Sequence, residues 1–270
     1  MNLQFHKMNG SGNDFVVIDN RNLDLSLTRE QIALLCDRQR GVGADGLLAV
    51  EPAEKNADFK FRYYNADGGE AEMCGNGARC FGKYTASLMG EDTTEVSFET
   101  IAGTLRAEIL GDDIRIAMSD PVDLEMYAPV SIDGLDCPIH SINTGVPHTV
   151  AFVDDLENLD VIKYGALLRY HNHYSPNGTN TNFAFVTGES HIAIRTYERG
   201  VEGETLACGT GMTACALIHN LLTKASSPVK VDVAGGDTLE IGFIKASEQV
   251  FTNVTLTGPA EFVFDGTITI

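Results

Sequence analysis

Positive charge is scarce in this chain. Its 270 residues carry 19 Lys and Arg against 38 Asp and Glu, a formal net charge of -19 with a pI near 4.6. So acidic a surface argues against nucleic acid or an anionic membrane as partner, because both call for a basic face. It does not exclude an anionic small molecule, since backbone amides can hold a carboxylate locally whatever the net charge. No run of 18 apolar residues is available to span a membrane. The opening MNLQFHKMNGSGNDFVVID has no sustained apolar stretch leading to a small-residue cleavage site, so no signal peptide is expected and the expected compartment is the cytoplasm. CxxC is also missing, and His171 and His173 have no cysteine or acidic cluster near them in sequence, so no metal site is expected.

What the chain does have is enough apolar content, 43%, to bury a large core in one big domain or two ordinary ones. Its six cysteines, Cys36, Cys74, Cys80, Cys137, Cys208 and Cys215, are scattered through a chain that needs no staples, and read as thiols rather than as a disulfide framework. Two of them share a context. GEAEMCGNG at 69–77 and GETLACGTG at 203–211 both spell Gly-Glu-x-x-x-Cys-Gly-x-Gly.

Other segments repeat at nearly the same distance. SGNDFVVID (11–19) resembles TGVPHTVAFVD (144–154), and VSFETIAGTLRAEI (96–109) echoes VKVDVAGGDTLEIGF (229–243) as strands bracketing an Ala-Gly turn. The offsets are 133 residues for Gly12 and Gly145, 134 for Cys74 and Cys208, and 132 for Gly103 and Gly235. Three ordered matches at one spacing predict two halves of one topology. Alternation predicts strands over 59–65 and 191–198, and apolar stretches after the cysteine loops predict helices over 78–90 and 212–224. SDPVDLEMYAP (119–129), with two prolines and a charge cluster, reads as a linker or crossing segment. The expectation is an α+β protein of two pseudo-symmetric domains, 1–118 and 119–259, with a last strand near 260–270 packing back onto the first and the active site in the cleft between them.

Each cysteine should then stand at the start of a helix, where unpaired N–H groups and the helix dipole favour an anion. Gly75, Gly77, Gly209 and Gly211 strip side chains from these loops, so backbone amides can approach a ligand. A carboxylate held between two such starts would have one thiol on each face of its α-carbon. That is the arrangement for cofactor-independent racemisation or epimerisation: one thiolate removes the α-proton, and the other thiol returns a proton to the opposite face. Amides aimed at the carboxylate as it gains enediolate character would stabilise the carbanion. A cysteine before a glycine is ordinarily core filler. Matched placement makes Cys74 and Cys208 a pair, and leaves Cys36, Cys80, Cys137 and Cys215 to the core.

The motifs KMNGSGNDFVVID (7–19), GVGADGLL (41–48), YNADGGEAEMCGNGARC (64–80), TGVPH (144–148), GTNTNF (178–183) and YERGVEGETLACGTG (197–211) span the chain. By these it resembles the diaminopimelate epimerase family. The resemblance implies two pseudo-symmetric domains, each of strands curled around a central helix, and epimerisation of LL-diaminopimelate to the meso form with no cofactor. It puts the acid/base pair at Cys74 and Cys208, and the amides of Gly75, Asn76, Gly209 and Thr210 on the reacting carboxylate. It puts Asn65, Asn180 and Arg199 at the distal end of the substrate, and Asn13, Glu198 and His148 near the reacting centre. It also allows a homodimer. The chain departs from the family where many members have Asn-Pro-His: Val146 stands there and cannot hydrogen-bond. Some members carry glutamine near position 46, where Gly46 offers no side chain.

Three other readings compete. A proline or hydroxyproline racemase would share fold and thiol pair but have no use for a distal clamp such as Asn65, Asn180 and Arg199. A relative of the phenazine-biosynthesis isomerases would lack the cysteine pair. A non-catalytic amino-acid-binding protein would keep a pocket and need neither thiol.

Overall fold

Phe15-Val16-Val17-Ile18 is apolar without alternation, and such a strand is stable only where both faces are covered. In the computed structural model of the chain all four residues are buried. Val16 and Ile18 join a layer with Ile32, Leu35, Leu47 and Ala49, whereas Phe15 turns to the opposite face, where a Cβ added at Gly77 would lie 3.4 Å from its ring. The structure describes residues 1–71, 73–101 and 103–270. Glu72 of the first cysteine motif and Ala102 of the Ala-Gly turn lie outside the described residues.

The chain forms two units, one of Met1–Ile116 with Gly258–Ile270 and one of Ala117–Thr257. The first holds β1 (Asn2–Gly10), β2 (Asn13–Asp19), α1 (Arg29–Cys36), β3 (Gly46–Pro52), β4 (Phe59–Asn65), β5 (Glu70–Ala71), α2 (Gly75–Met89), β6 (Glu95–Thr100), β7 (Gly103–Leu110) and β8 (Asp113–Ala117). The second holds β9 (Val122–Glu125), β10 (Ile139–Asn143), β11 (Pro147–Phe152), α3 (Val161–Arg169), β12 (Asn180–Gly188), β13 (His191–Glu198), β14 (Gly203–Thr205), α4 (Gly209–Thr223), β15 (Val229–Asp232), β16 (Thr238–Lys245) and β17 (Phe251–Pro259). The closing strand β18 (Glu261–Thr269) pairs with β1 of the first unit.

Within each unit the pairings run in one sequence. β1 and β2 are antiparallel, β2 and β3 parallel, β3 and β4 antiparallel, and β4 then pairs antiparallel with β5 and parallel with β6. The second unit repeats every step with β10, β11, β12, β13, β14 and β15. A hairpin follows in both, β6 with β7 and β15 with β16. The duplication expected from sequence is therefore a duplication of topology.

Each unit wraps its sheet around one helix. α2 packs on β1, β2, β3, β4, β6 and β7, and α4 on β10, β11, β12, β13, β15 and β16. Eleven of the residues in each helix are buried, so small side chains are needed wherever a strand comes close. The helices expected over 78–90 and 212–224 begin three residues earlier, because burial of the first turn offsets the poor helix propensity of Gly-Asn-Gly and Gly-Thr-Gly. Two further helices cover the outer faces. α1 is capped by Thr28 and Gln31 in a reciprocal capping box. α3 is capped by Asp160, which accepts from the Lys163 N–H at 3.0 Å. The 119–129 segment expected as a linker contains β9, paired with β10; its prolines, Pro121 and Pro129, flank the strand rather than interrupt it. Among the described residues no helix is long and apolar enough to cross a membrane.

Gly82 marks a close helix–strand approach in the first unit, since a Cβ there would sit 2.5 Å from the Cβ of Ala107. Gly82→Ala should gain helix propensity yet lose about 1–3 kcal/mol overall through overpacking. Denaturant midpoints would show it, and adding Ala107→Gly should recover much of the loss. A Gly82→Ala protein as stable as the parent would contradict this packing.

Candidate active site

In the first unit Cys74 is the N-cap residue of α2, in extended conformation, and its Sγ accepts from the Gly77 N–H at 3.5 Å. Cysteine is an unusual cap, so the first turn of α2 presents its amides beside a sulfur rather than a Ser or Asp oxygen. Asn13, the first residue of β2, places its Oδ1 3.5 Å from that Sγ and 3.3 Å from Nδ2 of Asn76. Asn76 is in turn held by Arg79, a fully buried guanidinium that donates to Asn76 Oδ1 at 3.0 Å, to Ser11 Oγ at 3.0 Å and to the Pro259 carbonyl at 3.2 Å.

An ionic frame stands behind Asn13. Its Nδ2 donates to Asp45 at 2.6 Å, and Arg38 bridges Asp45 and Asp14 at 2.9 and 2.8 Å. Lys7 meets Asp14 at 2.7 Å. Burial works to raise the Asp14 carboxyl, but the hydrogen bonds and charges of Arg38 and Lys7 win and hold it at about 2. Asn65 ends β4 and accepts from the Tyr63 hydroxyl at 2.8 Å.

In the second unit Cys208 occupies the same position, N-cap of α4, but no side-chain cap bond forms there. Its Sγ lies 3.5 Å from Thr210 Oγ1, which is 2.8 Å from His148 Nε2. On the far side of the ring His148 Nδ1 meets Asn182 Nδ2 at 3.0 Å. The loop before β11 is tied to the start of α4 by Thr144, whose hydroxyl donates to the Thr210 carbonyl at 2.8 Å. Burial, with the nearby positive charge of Arg199, pushes His148 down to about 3, so the ring is neutral. Asn180 binds the Pro147 carbonyl through Nδ2 at 3.1 Å and takes the Arg199 backbone N–H on Oδ1 at 2.8 Å. Arg199 also donates to the Asn177 carbonyl at 3.1 Å. Glu198 closes β13, paired with Gly203.

The residues named from sequence thus form two clusters. Cys74, Asn13, Gly75 and Asn76 come together in the first unit, with Asn65 at the end of its own strand. In the second, Cys208, Gly209, Thr210 and His148 are joined by hydrogen bonds or chain continuity, and Asn180, Glu198 and Arg199 meet at the ends of β12 and β13. Sequence reasoning passed over Arg79, Asn182 and Asp45. Arg79 is a long charged residue within the small or apolar stretch 77–82 of α2, and Asn182 directly precedes the apolar run 183–186 of β12. Both patterns signal a buried polar role. The other cysteines are unsuited to proton transfer: burial raises Cys36 and Cys137 to about 11, Cys80 to about 12, and Cys215 higher still. Among the described residues no group of three or more His, Cys, Asp or Glu could hold a metal ion.

Comparison with known proteins gives concordant findings. The family model for diaminopimelate epimerase matches residues 5–124 and 140–263. A diaminopimelate epimerase of Chlorobaculum tepidum is 43% identical over 270 residues, covering 97% of this chain and all of that protein. One from Aquifex aeolicus is 42% identical over 279 residues, covering 98% and 97%. Among solved structures, a PhzF-family phenazine biosynthesis protein of Bacillus anthracis superposes with a TM-score of 0.77 at 17% identity, over 100% of both chains. A hydroxyproline epimerase of Agrobacterium vitis, with bound trans-4-hydroxy-L-proline, gives 0.73 at 16% identity over 99% of this chain and 91% of its own. At those identities the structural likeness establishes the fold alone.

His148 makes stability depend on acid. Between its ordinary value of 6.5 and its folded value of about 3, the unfolded chain binds a proton that the folded chain does not. Stability is therefore full above pH 6.5 and falls as pH drops towards 3. His140, also lowered by burial, acts in the same sense. Melting curves between pH 7 and 4.5 should fall less steeply for His148→Gln than for the parent, with His140 leaving a residual slope. Equal slopes would mean that His148 is charged in the folded protein.

Proposed function

The chain belongs to the diaminopimelate epimerase family, and from that premise we propose that it interconverts LL- and meso-diaminopimelate without a cofactor, using Cys74 and Cys208 as the acid/base pair. The observation that carries the reading is the matched placement of the two cysteines, each the N-cap of the buried central helix of a unit and each followed by Gly-x-Gly. In the proposed reaction one sulfur takes the α-proton as the other delivers a proton to the opposite face. The amides of Gly75, Asn76, Gly209 and Thr210 receive the carboxylate as it gains negative charge; their place in the first turns of α2 and α4 supports this, because those N–H groups lack intrahelical acceptors.

Asn65, Asn180 and Arg199 are proposed for the distal ammonium and carboxylate, and Asn13, His148 and Glu198 for the surroundings of the thiols. Arg199 supports a distal role because a guanidinium can take a carboxylate in two parallel hydrogen bonds. The proposed compartment is the cytoplasm, supported by chemistry that needs reduced thiols. The proposed assembly is a homodimer, supported by the half-exposed run Phe262, Val263 and Phe264 on β18; sedimentation at a monomer's mass would refute it.

The direct test incubates reduced protein with LL-diaminopimelate in heavy water. Meso product bearing α-deuterium should form, and should be lost in both Cys74→Ala and Cys208→Ala. No turnover, or turnover only of proline or hydroxyproline, would overturn the substrate assignment. Arg199→Met should lower kcat/KM roughly 10- to 100-fold, the scale of a lost hydrogen bond to a charged group. An unchanged kcat/KM would remove Arg199 from the distal site.

A further inference from the structure

Arg199 sits on a turn gathered by one carboxylate. β13 ends at Glu198 and β14 begins at Gly203, and the residues 199–202 between them carry the guanidinium proposed for the distal end of the substrate. Glu202, in that turn, donates its backbone N–H to the Glu198 carbonyl at 2.9 Å, and its side chain accepts the Gly200 N–H at 3.1 Å. Both chain neighbours of Arg199 are therefore bound to Glu202. The Arg199 N–H itself goes to Asn180 Oδ1 at 2.8 Å.

The tip of Arg199 is held by the same group at one remove. Its Nη1 donates to the Asn177 carbonyl at 3.1 Å, and Arg169, at the end of α3, donates to that same oxygen at 3.5 Å. Two guanidinium groups on one carbonyl repel each other unless an anion stands nearby. Glu202 is that anion: it takes Arg169 Nη2 at 3.2 Å and Nε at 3.3 Å, and the Tyr197 hydroxyl at 3.2 Å. Each of these bonds has one sense only, since amide, guanidinium and phenol groups all donate to a carboxylate. Burial works to raise Glu202, but hydrogen bonds from the Gly200 N–H, Tyr170 and Arg169 outweigh it and hold the carboxyl below its ordinary range.

The backbone of Glu202 points the same way. Its φ of 56° lies in the left-handed region, which glycine occupies without strain and glutamate does not. Glycine would suit the shape of this turn better, but it would supply no carboxylate. We propose that Glu202 and Arg169 are positioning residues for the distal clamp: Glu202 orients Arg199 through its chain neighbours and, by way of Arg169 and the Asn177 carbonyl, at its guanidinium tip. The inference deepens the proposed function and rests on it for the binding of the distal carboxylate by Arg199.

Neither residue needs to touch substrate. A bond from Arg199 Nη1 to Asn177 is compatible with a carboxylate held in two parallel hydrogen bonds on another edge of the guanidinium. Loss of the Glu202 carboxylate would release the Gly200 N–H and leave two guanidinium groups on one carbonyl. Arg199 would keep its charge and lose its aim. A distal contact is the same in the bound substrate and in the transition state, so the effect should fall on KM more than on kcat.

Steady-state kinetics of the reduced protein with LL-diaminopimelate test this, using two substitutions at one position. Glu202→Gly suits the left-handed backbone and removes the carboxylate, whereas Glu202→Gln keeps the shape and removes the charge. Glu202→Gly should raise KM about 5- to 10-fold with kcat within about twofold of the parent, and Glu202→Gln should fall between the two. Arg169→Met should resemble Glu202→Gly. Added to Arg199→Met, each of these substitutions should change kcat/KM by no more than about twofold further, because the group they orient is gone. A merely structural role predicts equal losses with and without Arg199. The glutamine variant decides the matter if the glycine variant does not fold. An unchanged KM in the folded variants, or equal losses in both backgrounds, would overturn the inference and leave the proposed function standing. A parent inactive on diaminopimelate would overturn the proposed function, and this inference with it.

Discussion

A helix enclosed by its own sheet cannot leave its first turn to water, and that constraint governs both units. The amides at the start of α2 and α4 need acceptors, but Gly75, Asn76 and Gly77 are buried, as are Gly209 and Gly211. A Ser or Asp cap would satisfy one amide fully and end the matter. Cysteine is a weak acceptor as a thiol and a strong one as a thiolate. A sulfur at that position stays able to trade its proton. The curled sheet creates a demand for acceptors at both helix starts, and the positive end of each helix dipole lies there.

The same demand is supported differently in the two halves. Behind Cys74 stands a network of ions, Lys7, Asp14, Arg38 and Asp45, reaching the thiol through the amide of Asn13. Behind Cys208 stands a chain of neutral groups, Asn182, His148 and Thr210. Gly211 shows how closely that chain is fitted, since a Cβ there would come within 2.3 Å of Asn182 Oδ1. A duplicated fold supplies two equivalent helix starts. Divergence of the strands around them supplies inequivalent surroundings, ionic in the first unit and neutral in the second.

How much of this could be read in the sequence follows from where each signal lives. The duplication and the fold class were legible because the Gly-Glu-x-x-x-Cys-Gly-x-Gly motif and its flanking strands recur in order, and the strands at 59–65 and 191–198 were legible from their alternation. The starts of α2 and α4 were not, because Gly-x-Gly reads locally as turn and becomes helix only when the surrounding sheet buries it. Nor was β9, whose two flanking prolines resemble a linker until a partner strand is in place. In the clusters around the cysteines, residues inside the quoted motifs were within reach of sequence. The partners of Asn182 and Arg79 were harder to see, because Thr149, His148, Ser11 and Pro259 lie far from them in sequence and meet them only in the fold.

The two supports also differ in what disturbs them. Protonating Asp14 requires acid near pH 2, because Arg38 and Lys7 hold its charge in place. The His148 chain carries no ion, so salt has little to screen there. Its order depends on the ring staying neutral, with one nitrogen accepting and the other donating. A second proton on His148 would set an N–H against the Asn182 amide, whose orientation the Thr149 carbonyl and the Thr196 hydroxyl fix. The ring would lose its acceptor and the chain its direction. Of the two supports, that of Cys208 is therefore the first to lose its order as pH falls, while the ionic support of Cys74 persists to lower pH.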